Sequence, residues 1–179
     1  MDALLGLSRG IDRLNTVLGR LAAVLVLAAA LLSAGNAIMR YAFDYSSNAW
    51  LEIQWYLFAG VVMFGAANTL RRNEHVRVDL VYMSVSDRAR LWIDTLGIIF
   101  FLLPFTLFLG WLSWPIAARA FTTGEMSSSA GGLMRWPVRM VICVGFFMVA
   151  LQGLSELIKR IAALRGVLAL STDYEKPQQ

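Results

Sequence analysis

The chain has 179 residues, 58% of them hydrophobic and only 16% charged, with a net charge of +4 and a mean hydropathy of +0.61, which excludes a soluble domain of this length. It reads as an integral membrane protein, and its basic residues, which sit between apolar runs, point to anionic lipid rather than nucleic acid. A lone cysteine, Cys143, excludes an internal disulfide and any multi-cysteine metal site; in an apolar run it reads as a packing residue.

Leu4, Leu7, Ile11, Leu14 and Leu18 recur every three or four residues, with Asp2, Arg9, Asp12, Arg13 and Asn15 elsewhere on the wheel. The pattern predicts an amphipathic helix in the membrane interface. The first apolar run, about 20–40, is long enough to span a bilayer. Small residues at 33–37 would suit a leader cleavage site, yet the run reads as a retained span. Ala22, Ala29, Ser33, Asn36 and Arg40 share one stripe of it, which predicts contact with protein.

A short connection leads into the second span, about 49–70, so the two form an antiparallel hairpin. Glu52 stands about one turn inside its outer end, on a stripe with Trp55, Tyr56, Ala59, Met63, Ala66 and Ala67. A carboxylate at that depth is costly without a partner. Arg40 is the natural candidate, with an arginine of another subunit and an unpaired, water-exposed Glu52 as alternatives. The span ends in a charged rim of Arg71, Arg72, His75, Arg77 and Asp79. The connection to Arg90 is expected to include a short surface helix.

The third span, about 91–118, exceeds what a bilayer needs and contains Pro104 and Pro115, which predicts a tilt or kink. Trp111 and Trp114 are placed as interface anchors. Residues 122–132, rich in Ser, Thr and Gly, predict an exposed loop. Asp94, four residues after Arg90, reads as part of a local surface pair. The fourth span covers about 138–158, and the domain runs over 1–165 with a loosely ordered tail at 166–179. With the N-terminus inside, twelve Lys and Arg fall on the cytoplasmic side and four outside, so both termini are expected in the cytoplasm. The fold class is therefore an all-α membrane protein of four spans with an N-terminal interfacial helix.

Catalytic patterns are missing. The single histidine, His75, excludes a His cluster and reads as an interfacial or capping residue; Ser127, Ser128 and Ser129 have no base nearby in sequence; Gly131 and Gly132 lack the strand and helix of a phosphate loop. No enzyme activity and no cofactor are expected.

The order Arg40-Tyr41, Trp50-Leu51-Glu52, Gly65-Ala66-Ala67, Arg71-Arg72 and His75-Val76-Arg77-Val78-Asp79 resembles the small membrane subunit, DctQ, of tripartite ATP-independent periplasmic (TRAP) transporters. Leu103-Pro104, Glu125 to Ser127, Gly132-Leu133, Trp136-Pro137 and Gln152 extend the resemblance, which covers roughly 18–165. Gly131-Gly132-Leu133 before Trp136-Pro137 is similar to a subgroup associated with 2-oxo acids, mannitol or chloroaromatic compounds. Leu51 departs from the pattern, since many members carry a second acidic residue there. The resemblance implies a bacterial inner-membrane subunit for sodium-coupled uptake of organic acids or related solutes. In that family a large membrane subunit moves substrate and sodium as an elevator, and a soluble periplasmic protein delivers the substrate. The small subunit would be a non-catalytic scaffold with lipids around it. Partner or structural roles would fall to Arg40, Trp50, Glu52, Trp55, Arg71, Arg72, His75, Asp79 and Trp136. The outer residues Glu125, Arg135 and Arg139 could touch the binding protein.

Two other classes fit the pattern less well. A small proton-coupled exporter acting as a homodimer would use Glu52 as its ion site, but that residue lies near one surface rather than at mid-membrane. A haem-bearing quinone anchor needs paired histidines, which this chain lacks.

Overall fold

A computed structural model describes residues 1–45, 47–74 and 84–168. Four helical stretches long and apolar enough to cross a membrane account for most of them: Asp2–Phe43, Asn48–Arg72, Asp87–Thr123 and Trp136–Leu164. We label the helices α1 (Asp2–Phe43), α2 (Asn48–Arg72), α3 (Asp87–Gly97), α4 (Leu103–Thr123) and α5 (Trp136–Leu164); a π-turn, Ile98–Leu102, joins α3 to α4. The ends of the helices are chemically marked. Asp44 and Asn73 take left-handed backbone after α1 and α2, with φ of 49° and 58°, and Gly124 does the same after α4. Asn and Asp tolerate that region better than other residues with a side chain, and Gly adopts it without strain. Ser47 caps α2 by accepting the Ala49 N–H at 3.3 Å.

α1, α2 and α5 pack against one another, and the α3–α4 span lies mainly on α5. Small residues make the seams: Ala22, Ala67, Ala117, Ala120, Ala150 and Ala162 are buried, which lets helix axes approach closely without a hydrophobic effect to drive them together. Gly145 is among the closest approaches, because a Cβ there would run into the Met63 side chain of α2. The expected α1 stripe packs only in part. Ala22 is buried and Ala29 and Asn36 are half-buried, whereas Ser33 and Arg40 are exposed.

The amphipathic segment at the N-terminus is the first turns of α1 itself, not a separate interfacial element. Leu4, Leu7 and Leu14 are exposed, and it is Ser8, Ile11 and Asn15 that are buried. The reason is that α5 offers polar partners to Ser8 and Asn15. In the third span, where a tilt or kink is expected, the structure has a π-turn just before Pro104. Proline has no N–H to donate and crowds the turn before it, which an extra residue in that turn relieves. The surface helix expected between 71 and 90 falls largely on residues outside those described.

Candidate functional site

Two polar clusters stand out, one at the end of the bundle where α2 begins and one at the opposite end, where the N-terminal turns of α1 meet the last turns of α5. The first is built around Glu52, which is 8% exposed. One of its carboxylate oxygens accepts the Ser127 hydroxyl, and the other accepts the Leu133 N–H at 2.7 Å. Its partners are therefore a hydroxyl and a backbone amide of the connection between α4 and α5. The expected Arg40–Glu52 pair does not occur among the described residues; Arg40 is exposed. A hydroxyl and an amide held in place by a folded loop satisfy the carboxylate's lone pairs without bringing a second charge out of water.

That loop is exposed at most of its positions, as expected, and it is also tied down. Met126 and Met134 form an antiparallel bridge. Around it the Ser127 N–H donates to the Leu133 carbonyl at 2.9 Å, and the Arg135 N–H to the Glu125 carbonyl at 2.9 Å. The Arg139 guanidinium holds the Glu125 carboxylate with two bonds, 2.6 and 2.7 Å, the fork-on-fork geometry that strengthens such pairs. From α2, the Tyr56 hydroxyl donates to the Met134 carbonyl at 2.9 Å and the Asn48 amide to the Ala130 carbonyl at 3.0 Å. Gly132 lets the loop approach this closely. A Cβ there would lie 2.5 Å from Ser127 Cβ and 2.9 Å from a Glu52 oxygen. Ser127, which the sequence alone leaves as an ordinary loop residue, is thus part of the latch.

The second cluster joins three helices through charges. Lys159 Nζ lies 2.8 Å from Asp12 and 2.6 Å from Glu156. Arg160 lies 2.7 Å from Glu156 and 3.3 Å from Asp94, so Asp94 is bonded to α5 and is more than a local surface residue. The Gln152 amide donates to Asp12 at 2.9 Å and to Glu156 at 3.1 Å, which leaves its carbonyl to accept the Asn15 amide at 2.7 Å. The Ser8 and Ser155 hydroxyls bond at 2.7 Å, and Ser155 also donates to Asp12 at 2.8 Å. Among the described buried side chains, one polar atom has no partner, the Asn15 carbonyl oxygen. Sequence reasoning passed over this network. The signal was present in the polar stripe Gln152, Ser155, Glu156 and Lys159, spaced three and four apart on a span that should be apolar.

The remaining expected site residues fall as follows. Arg71 is half-buried and donates to Asn68 at 3.3 Å, whereas Arg72 is exposed, 3.6 Å from Glu74. His75 and Asp79 lie outside the described residues. Trp50 is half-buried and Trp55 is 73% exposed. Trp136 meets Phe121 edge to face, with ring centres 5.3 Å apart. Arg135 is half-buried beside the latch, where its backbone N–H closes the loop. Among the described residues, no group of three or more His, Cys, Asp and Glu side chains is arranged to hold a metal ion. Chemically both clusters hold elements together, since their charged groups are bonded to other parts of the same chain.

The outward faces are apolar. On α1, Val17, Val24, Leu27, Leu31 and Ile38 are each more than half exposed; on the third span, so are Phe100, Phe101, Phe105, Phe108 and Trp111. Faces of this kind require lipid or another membrane protein around them.

A sequence profile of the family described as tripartite ATP-independent periplasmic transporters, DctQ component, matches residues 29–163. No curated protein and no solved structure matches the chain.

Proposed function

Because this chain belongs to the DctQ component family of tripartite ATP-independent periplasmic transporters, we propose that it is the small scaffold subunit of such a transporter, a multi-pass protein of the inner membrane with both termini in the cytoplasm. Its large partner would carry out sodium-coupled uptake of an organic acid or related solute, delivered by a periplasmic binding protein. Residues 1–165 would be one membrane domain and 166–179 a cytoplasmic tail. The observation that carries this reading is how the chain uses its buried and half-buried charged groups. Glu52, Asp12, Asp94, Glu156, Lys159 and Arg160 all bind elements of the same chain to one another, while the outward faces of α1 and the third span are apolar. A body whose charges brace its own helices and whose outside is greasy suits a static part against which another subunit moves.

The partner residues take their roles from position. Trp55 and Arg72 are exposed on α2 and available to the large subunit, with Trp50, Arg40, Arg71 and Trp136 beside the same helix ends; His75 and Asp79 complete the rim in this reading. Glu52 acts from within, by fixing the loop. Glu125 and Arg139 are engaged with each other, so their part in meeting the binding protein is to hold the loop's shape, with Arg135 next to them.

The test is purification of the tagged chain from its host in mild detergent, followed by reconstitution. A large multi-span membrane protein should co-purify, and vesicles should take up solute only when chain, large subunit and binding protein are all present. Sodium-independent or proton-driven transport by the purified chain alone would overturn the proposal and revive an exporter built on Glu52.

A further inference from the structure

The third span meets α5 but leaves a gap toward α2, and there a cleft of about 720 Å³ opens sideways from the bundle. Leu70 of α2, Val149 of α5 and, on the third span, Gly97, Phe101, Phe105 and Thr106 line it, and Asp94 and Arg160 close one end. From this geometry we infer that the cleft is a binding site for a single phospholipid of one leaflet, with an acyl chain along the apolar walls and the headgroup beyond the end marked by the Asp94–Arg160 pair.

Length, polarity and backbone all bear on the choice of occupant. From Asp94 to Thr106 the lining covers twelve helical steps, about 18 Å at about 1.5 Å each, and from Val149 to Arg160 eleven steps, or about 16 Å. Half of a hydrocarbon core about 30 Å thick is about 15 Å, so the slot is one leaflet deep. Above it the third span closes onto α5, where the Cys143 thiol reaches the Gly110 carbonyl at 3.5 Å. A helix from a neighbouring protein would cross both leaflets and find no groove for its second half. Charge is asymmetric along the slot. On α2, the two residues after it and α3, the charged residues toward that end are Arg71, Arg72, Arg88 and Arg90 against Glu74, Asp87 and Asp94, an excess of one positive charge on the side where a phospholipid headgroup would lie. The π-turn lies in the wall, with Ile98, Phe101 and Leu102 all facing the cleft. Such turns are uncommon and recur at binding sites. The inference does not depend on which transporter the chain serves.

Gly97 gives a clean way to test it, because a Cβ at that position meets nothing within 4 Å. The chain with its co-purified partners would be placed in vesicles of phosphatidylethanolamine and phosphatidylglycerol, a fraction of the latter carrying a photoreactive acyl chain. Illumination should label the peptide containing Phe101 and Phe105 more strongly than the lipid-facing side of α1 around Leu27 and Leu31. Gly97→Leu should abolish the excess labelling and the phospholipid that survives detergent washing, and Gly97→Ala should keep both. Labelling equal to that of α1 in the parent chain would reduce the cleft to ordinary lipid contact and overturn the inference. So would cross-linking of Phe101 or Phe105 to another protein, recorded with a cleavable cross-linker on the same preparation. Co-purification of the large subunit, scored on every variant, reports on the proposed function separately.

Discussion

The two ends of this bundle solve the problem of a carboxylate in an apolar setting in opposite ways. At one end a single acid, Glu52, is met by a hydroxyl and a backbone N–H from a folded loop. At the other, three acids and two bases from three helices pair with one another, and Gln152, Asn15, Ser8 and Ser155 add hydrogen bonds among themselves and to the acids. The first arrangement attaches a loop to a helix and is local. The second sets the register between helices far apart in the chain, and removing one member strands the others without water to replace it. Damage at the loop end should therefore stay in the loop, and damage at the charged end should reach the whole bundle.

The sharpest way to break that contrast is Arg160→Met. Glu156 and Asp94 would lose their shared cation in a half-buried to buried site, and a cost of about 3–5 kcal/mol is expected, visible as a large drop in melting temperature of the detergent-solubilised protein. Gln152→Leu comes next. It leaves the Asn15 amide without an acceptor and takes one donor each from Asp12 and Glu156, so about 1–3 kcal/mol should be lost, measured by the same melt. A loss confined to the loop in either variant would end the distinction drawn above. Glu52→Leu should leave the melting temperature nearly unchanged, yet raise hydrogen exchange at the Leu133 amide by roughly tenfold and expose the loop between Glu125 and Arg135 to protease. The smallest effect is assigned to Arg40→Gln, within about 0.5 kcal/mol of the parent. A large effect there would restore Arg40 as the partner of Glu52.

The local chemistry of the chain was readable where one segment is enough. Apolar runs about 20 residues long fixed four helices, Pro104 marked the distortion of the third, and the cost of burying Glu52 announced that something must hold it. Its holder was misread because Arg40 is close in sequence and opposite in charge. Ser127 and Leu133 lie 75 and 81 residues away and carry no charge to advertise the contact. Likewise Asp12, Arg160 and Lys159 read as ordinary interfacial charges, because nothing short of the packed helices brings them together.

What the amino-acid order determined by itself is the solvent, the number of spans and the need for polar partners, since these follow from hydropathy and from the cost of burying charge residue by residue. Only the tertiary structure decided which partners answer that need, how the first turns of α1 dock on α5, and where the third span stands away to leave a cleft. Those outcomes depend on helix rotation and register, which small residues such as Gly145 and Gly132 permit through close approach. A periodic pattern specifies a face of a helix and not the neighbour it meets.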